Sequence, residues 1–208
     1  MWLEMSQNSV HGGLGWAFTE CLWSPTHQNP SGSWSFWEIL KRVRKGDIVF
    51  HLRGKSPRTD FVGYSIADSN GYQTQDRPPM PGQWAYATSF YRVPLTGFVP
   101  FLDPIPLGGV FSERDVQLRE YFSENKSRPR RLHEHIFFVV QAGRLQCLNG
   151  AYLSEFGEEL ANIILGPRFG GKSGQANGVS VSARTGEQIA QVKARIGQSV
   201  FSANVRQN

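Results

Sequence analysis

Short segments of β-type sequence, each bounded by glycine, proline or other turn-forming residues, dominate the first 110 positions of this 208-residue chain. This pattern is typical of a small barrel or sandwich and argues against a doubly wound sheet, in which strands alternate with regular helices. We predict strands at residues 1–6, 47–53, 60–68, 84–95 and 135–141. The fold is therefore expected to be built on one small sheet.

Three segments have the spacing of apolar residues that is typical of amphipathic helices. We predict these helices at Trp34–Val43, at about 112–124 and at Tyr152–Leu165. Two proline-rich passages, Asp76–Gly82 and Val99–Pro106, are expected to be loops because proline removes donors from a strand ladder. The predicted class is α+β, with a small twisted β-barrel flanked by helices.

The composition changes after residue 165. Residues 166–184 are rich in Gly, Ser, Asn and Gln, which predicts a flexible linker, and residues 185–208 regain helical periodicity. Residues 166–173 match the phosphate-loop pattern, but a helical pattern precedes them and linker sequence follows, whereas such a loop needs a strand before it and a helix after it. A nucleotide-hydrolysing fragment therefore remains only as an alternative.

The composition of the chain limits which classes of partner and which cellular location are expected. The formal net charge of +5 and pI near 9.4 favour a polyanion such as nucleic acid. Only Cys21 and Cys147 are present, too few for a disulfide framework, and no apolar run approaches membrane-spanning length or resembles a secretion signal. We therefore expect a cytoplasmic protein that contacts no membrane.

All six tryptophans lie in the first ninety residues, among glycines and prolines. An indole ring beside turn-forming residues is often placed at a rim or in a pocket, where it can stack on a planar ligand such as a base. The alternative is that these rings belong to an ordinary core. A groove for a protein partner is a further possibility for the same rings.

Basic residues are concentrated in three loop segments. As phosphate-binding candidates we name Lys55, Arg58, Arg77, Lys126, Arg128, Arg130 and Arg131. A solvated surface loop is the alternative for each segment. No nucleophile–base pattern or zinc spacing is recognisable, and we expect no catalytic residues, metal or cofactor in this chain. His133 and His135 lack a third ligand.

Four segments, in this order, resemble the EVE domains, relatives of the YTH domains in the PUA-like family of modified-base readers. They are Met1–Asn8, Leu22–Ser24, Lys45–His51 and Phe61–Ile66, and the resemblance covers residues 1–165. It implies binding of duplex DNA that carries 5-methylcytosine or 5-hydroxymethylcytosine, with the modified base flipped into an aromatic cage. A reader of N6-methyladenine or of modified RNA is the nearest alternative.

The same resemblance assigns roles to residues. Trp23 is implied as the first cage wall and Ser24 as a polar contact to the base edge; replacing Trp23 with alanine is expected to weaken binding and leave the fold intact. For the second wall we name Trp84 or Tyr72. Further candidates for the base edge or the pocket are Gln7, Asn8, His11, Trp16 and Tyr64.

The last residues, Arg195–Asn208, are similar to the helix that leads into HNH nuclease domains of restriction enzymes. This implies that the chain is the specificity part of a modification-dependent EVE-HNH endonuclease. The nuclease part is expected to need a divalent metal and to lie beyond residue 208. The full-length enzyme is a candidate homodimer.

Overall fold

The computed structural model describes residues 1–7, 11–27, 35–55 and 58–165, together with Gln191 and Ala194. The predicted linker, the phosphate-loop match and all but those two positions of the predicted C-terminal helix lie outside the described residues. No helix in the described part of the chain is long and apolar enough to cross a membrane.

The strands are short, with one exception. They are β1 Trp2–Ser6, β2 Cys21–Pro25, β3 Ile48–Lys55, β4 Arg58–Ala67, β5 Tyr72–Thr74, β6 Phe90–Pro106, β7 Phe138–Gln141, β8 Arg144–Cys147 and β9 Leu153–Glu155. The helices are α1 Ser35–Glu38, α2 Leu107–Glu113, α3 Asp115–Ser127 and α4 Glu158–Leu165. The 3₁₀ turn Ile39–Arg42 continues α1, and two further 3₁₀ turns cover Gly82–Trp84 and Arg130–Leu132.

One mixed sheet forms the centre of the molecule. Its strand order is β2-β6-β4-β3-β1-β9, with β5 also paired to β6, and β7 and β8 form a separate hairpin. The β1–β3 pair is parallel and the other pairs are antiparallel. The sheet curls into a half-barrel, so the predicted α+β class with a small twisted barrel and flanking helices is confirmed.

Tyr152, directly before β9, joins the two edges of this sheet. Its hydroxyl accepts a hydrogen bond of 3.1 Å from the backbone N–H of Trp23 on β2, at the opposite edge. Its carbonyl accepts a bond of 2.8 Å from the N–H of Met5 on β1. We call the gap between β2 and the β1–β9 edge the seam; side-chain contacts close it where a full barrel would have a strand ladder.

The two faces of the sheet carry different cores, because neighbouring side chains of a strand point to opposite faces. Leu3 and Phe50 pack with Phe156 and Leu160 beneath the helices α2–α4. Trp2 and Val49, one position earlier in each strand, face the other way and pack with Leu22, Trp37 and Leu153. Each such fully buried side chain contributes about 1.5–3 kcal/mol of burial free energy.

The predicted strands and helices are only partly correct. The strands at 1–6, 47–53 and 60–68 agree with β1, β3 and β4 within two residues. The strand predicted at 84–95 instead begins at Phe90 and continues to Pro106, so Val99–Pro106 is strand and not loop. The helix predicted at 112–124 is two helices that meet at Arg114.

The sequence pattern does not predict four of the strands, β2, β5, β8 and β9. β2 is buried along its whole length, so it has no alternating pattern to detect. β9 was assigned to the helix Tyr152–Leu165, because Leu153 and Phe156 fit helical spacing; pairing with the edge of β1 holds it as a strand, and α4 begins only at Glu158.

Candidate functional site

A cavity of about 550 Å³ lies at the seam, where the end of β1, strand β2 and the segment before β9 meet. Its volume is within the range of about 300–1,000 Å³ that is usual for small-ligand sites. The lining residues are Glu4, Met5, Ser6, Gln7, His11, Trp16, Phe18, Cys21, Trp23, Ser24, Pro25, Trp37, Gln83, Trp84, Asn149, Gly150 and Tyr152. Four of these are tryptophans.

One side of the cavity is a cluster of aromatic rings around Trp23. The Trp16 ring meets the Trp23 ring edge to face, with centroids 6.1 Å apart, and Phe90 packs at 5.8 Å. The His11 imidazole lies against the same indole at 4.7 Å. Trp23 is only 6% exposed, so it is both a wall of the cavity and a part of the core.

Trp37 and Trp84, from different parts of the chain, also line the cavity. Their rings pack edge to face with centroids 5.0 Å apart. Trp37 belongs to α1 and is buried, whereas Trp84 is half-buried in the 3₁₀ turn Gly82–Trp84. Trp84 is therefore less buried than Trp23, although it packs against two of the buried clusters.

Two loops hold these rings in place. Gly12 and Met80 exchange both backbone hydrogen bonds, each 3.0 Å long, which ties the glycine-rich loop after β1 to the proline-rich loop Asp76–Gly82. Gly12 has φ +97°, and a Cβ there would lie 2.1 Å from the carbonyl oxygen of Trp16 and 2.7 Å from Nε1 of Trp23. Only glycine fits this position.

The cavity also contains a buried hydroxyl without a partner. Ser24 is 3% exposed, and among the described residues its Oγ makes no hydrogen bond. A buried polar atom in that state costs about 1–3 kcal/mol, which a bound ligand that supplies a partner would recover. Three amide side chains, Gln7, Gln83 and Asn149, line the same cavity and can each donate and accept.

Beneath the aromatic rings the sheet carries a buried polar network. His51 Nδ1 lies 2.6 Å from Oε2 of Glu4, and its Nε2 lies 2.8 Å from Oγ of Ser65. The hydroxyl of Tyr152 donates a long bond of 3.4 Å to Oε1 of Glu4. Burial raises the pKa of Tyr152 well above its usual value, so the phenol stays protonated.

Cationic side chains brace the rings at the same end of the sheet. The Arg53 guanidinium lies 3.7 Å from the centroid of Phe18, and that of Arg92 lies 4.3 Å from the centroid of Trp16. Burial raises the pKa of the Cys21 thiol to about 11, which leaves this cavity residue neutral and a poor nucleophile at neutral pH.

The structure brings together most of the predicted pocket residues. Those that line the cavity are Trp23, Ser24, Trp84, Gln7, His11 and Trp16; that they contact a base remains a prediction. Asn8 lies outside the described residues. The structure also changes the expectation for Trp23→Ala, since losing a ring packed against Trp16 and Phe90 is expected to cost about 3–5 kcal/mol of stability.

Two predicted pocket residues lie elsewhere, and their assignment is corrected. Tyr64 is 2% exposed in the core under the helices, against Phe50 and Phe101, because its position on β4 points to that face. Tyr72 lies on β5, where it pairs with Arg92 of β6 and is 39% exposed. Neither lines the cavity, which leaves Trp84 as the predicted second wall.

Sequence reasoning missed Glu4, Phe18, Trp37 and Tyr152. Glu4 and Tyr152 come together through the β1–β9 pairing, across 148 positions, and no local pattern predicts that contact. The sequence predicts Trp37 to lie on the amphipathic helix Trp34–Val43, and nothing in that pattern indicates that its ring lines a cavity. The one available signal was Glu4 itself, a charged residue at an otherwise apolar strand position.

The predicted phosphate-binding residues lie on the surface in three places. Ser6, the last residue of β1, pairs with Arg53 of β3, so Lys55 lies two residues past the end of β1, at the cavity end of the sheet. Arg58 pairs with Lys55 on the opposite strand of the β3–β4 hairpin. Arg77 is exposed on the loop tied to Gly12. Lys126, Arg130 and Arg131 are exposed near the end of α3.

Arg128, which lies among these three residues near the end of α3, already has an acidic partner. Arg128 donates a bond of 2.9 Å to Glu134, whose other oxygen accepts from Tyr121. His133 bonds to the carbonyl of Arg128 at 2.8 Å, and His135 packs against Phe36. The described residues contain no cluster of three or more potential metal ligands.

No family model and no curated protein matches the chain in sequence. Among solved structures, protein PSPTO5229 from Pseudomonas syringae is 17% identical over 79% of this chain and 96% of its own, with a TM-score of 0.43. Human THYN1, solved in complex with 5-methylcytosine-containing DNA, is 12% identical over 73% of this chain and 91% of its own, with a TM-score of 0.38. Rpa0253 from Rhodopseudomonas palustris is 19% identical over 73% of this chain and 86% of its own, with a TM-score of 0.35. These similarities are too weak to assign a function.

Proposed function

We propose that this chain is a DNA-binding specificity domain that takes one modified cytosine, 5-methylcytosine or 5-hydroxymethylcytosine, out of the duplex and into the seam cavity. The observation that carries the proposal is the cavity itself, whose lining combines four indole rings with a buried serine hydroxyl that has no hydrogen-bond partner among the described residues. Flat apolar walls with a few fixed polar groups suit a planar, partly polar ligand, which describes a nucleobase.

The energetics of base capture are compatible with this site. Extruding a base costs a few kcal/mol, and stacking on aromatic rings returns about 1–3 kcal/mol per base. One buried methyl group adds only about 0.8 kcal/mol, roughly fourfold in affinity. Recognition of the modification therefore depends on the shape of the cavity and on hydrogen bonds to the base edge as well as on stacking.

The charge around the cavity supports a duplex as the partner. Two of the cations, Lys55 and Arg58, lie at the hairpin tip at the cavity end of the sheet. Arg77 lies on the proline-rich loop Asp76–Gly82, which is tied to Gly12 beside the cavity. Contacts of these residues to phosphate would position the duplex without reading its sequence. The resemblance of residues 1–165 to EVE domains supports the same partner and the PUA-like relationship.

The direct test is a set of otherwise identical duplexes with cytosine, 5-methylcytosine, 5-hydroxymethylcytosine or N6-methyladenine at one position. We expect one of the modified cytosines to bind at least about fourfold more tightly than cytosine. Tightest binding of the N6-methyladenine duplex would replace the proposed ligand with a purine. Absence of DNA binding even at low salt would favour a protein-interaction module.

Replacing Trp84, which is less buried than Trp23, tests the walls of the cavity. Trp84→Ala is expected to weaken binding of the preferred duplex by about 1–3 kcal/mol, because a stacking surface is lost. Tyr72→Ala is the matched control, since this exposed ring lies away from the cavity. Equal losses in the two variants would remove Trp84 from the site.

We further propose that the domain directs a nuclease. The support is the similarity of Arg195–Asn208 to the helix before HNH domains, a segment outside the described residues. The chain in hand is then expected to bind modified DNA without cutting it, with or without a divalent metal. Cleavage by the purified chain would overturn this part of the proposal.

A further inference from the structure

Glu4 is an acidic residue in a place where acidic residues are rare. Its side chain is 4% exposed and lines the aromatic cavity, on strand β1, which lies between β3 and the edge strand β9. Burying a carboxylate is costly unless hydrogen bonds compensate it. The contacts of its two oxygens therefore indicate what the residue is for.

The two oxygens of Glu4 are used unequally. Oε2 lies 2.6 Å from Nδ1 of His51, and Ser65 bonds the other ring nitrogen, so this oxygen and the orientation of the carboxylate are fixed. Oε1 receives the Tyr152 hydroxyl at 3.4 Å, which is long for an O–H···O bond. A carboxylate oxygen has two lone pairs, so Oε1 retains acceptor capacity at the cavity.

We propose that Glu4 makes the cavity selective for a base with an exocyclic amino group, so that it accepts 5-methylcytosine and rejects thymine. This inference rests on the proposed function, that the cavity holds a flipped base. Cytosine presents an N4 amino donor where thymine presents the O4 acceptor. A fixed acceptor at Oε1 would bond the amino group and repel the carbonyl oxygen.

The wild-type chain can be tested without any substitution. Three duplexes carry 5-methylcytosine, thymine or 5-methylpyrimidin-2-one opposite the same guanine; all have the 5-methyl group, and only the first has the amino group. A mismatched base costs less to extrude, which by itself favours thymine. We nevertheless expect the 5-methylcytosine duplex to bind about tenfold more tightly than either of the others.

Glu4→Gln then tests the residue itself. His51 Nδ1 holds the oxygen at the Oε2 position, so the glutamine amide nitrogen should occupy the Oε1 position and present a donor to the cavity. We expect the preference for 5-methylcytosine over thymine to fall by about tenfold or to reverse. Glu120→Gln removes the same charge from the exposed face of α3 and should leave the preference unchanged.

The outcomes separate the two proposals. If all three 5-methyl duplexes bind equally and more tightly than cytosine, the role of Glu4 is overturned while the cavity proposal stands. If neither 5-methylcytosine nor 5-hydroxymethylcytosine is distinguished from cytosine, the proposed function itself fails. A thermal melt shows whether Glu4→Gln is folded, and if it is not, the wild-type comparison alone decides.

Discussion

Ser24 illustrates at the scale of one residue how a binding site differs from a core. Its hydroxyl is buried on β2 without a partner among the described residues, although a hydrophobic side chain of similar size would fit a core better. Groups of this kind lower the stability of the free protein and become useful when a ligand completes them. The stability and the affinity of a Ser24 variant should therefore change in opposite directions.

Ser24→Ala is expected to raise the free energy of unfolding by about 1 kcal/mol, because the desolvated hydroxyl is removed. The same substitution should weaken binding of modified DNA by about 0.5–1.5 kcal/mol through the lost hydrogen bond. Urea unfolding and a binding titration on the same preparation measure both. A variant that loses stability and keeps its affinity would show that the hydroxyl serves the fold.

At the scale of elements, the rim of the cavity depends on the loop between β1 and β2. This loop is tied to the proline-rich loop through Gly12 and Met80, and it places His11 and Trp16 against Trp23. Residues 11–16 contain three glycines, each with positive φ. At these three positions the backbone adopts conformations that other residues rarely reach.

Gly12→Ala is expected to lower the free energy of unfolding by at least about 2 kcal/mol, since the new Cβ has both a positive φ and a contact of 2.1 Å with backbone. Gly97→Ala is the matched control: its φ is +62°, and nothing lies within 4 Å of the new Cβ. It should cost about 1–2 kcal/mol from φ alone and leave DNA affinity unchanged. If Gly12→Ala and Gly97→Ala change the DNA affinity equally, the loop at Gly12 does not belong to the binding site.

The elements predicted from sequence were those whose pattern is local. β3 and β4 were found because a helical segment ending at Gly46 and a short basic loop bound them. The predicted strand ends too early because the later half of β6 contains Pro100, Pro104 and Pro106. Beyond Pro94, β6 pairs only with β4 among the described strands, so its other side is an edge. Proline is tolerated at an edge because no ladder hydrogen bond is lost there.

The site was predicted in part for the same reason. Trp23, Ser24 and Trp84 stand in recognisable local sequence, and all three line the cavity. Glu4 and Tyr152 enter it through the pairing of β1 with β9 and the bond from Tyr152 to β2, which depend on how the sheet curls. Tyr64 was misplaced because sequence alone did not fix which face of β4 it occupies.

For the whole molecule, electrostatics should determine affinity as much as the cavity does. The chain carries a net charge of +5, and the exposed cations Lys55 and Arg58 lie at the hairpin tip on the cavity end of the sheet. Each phosphate contact contributes about 0.9 to the slope of log K against log salt concentration. The slope therefore reports the total number of phosphate contacts, and its change when the cations of one loop are removed reports the contacts of that loop.

Replacing both Lys55 and Arg58 with glutamine is expected to reduce this slope by about 1.8, with the preference for modified DNA unchanged, because phosphate contacts carry no base information. Arg128→Gln is the control, since Glu134 holds that guanidinium in an ion pair. A salt titration of each variant gives the slopes. An unchanged slope in the double variant would place the duplex on another face.

The most direct test of the central claim is whether a modified base leaves the helix when the chain binds. A 2-aminopurine placed beside the 5-methylcytosine or 5-hydroxymethylcytosine becomes fluorescent when its neighbour unstacks. We predict a rise in fluorescence on saturation with the wild-type chain, a smaller rise with Trp84→Ala and none with the unmodified duplex. Saturated binding of the modified duplex without any rise in fluorescence would contradict capture of a flipped base in the seam cavity.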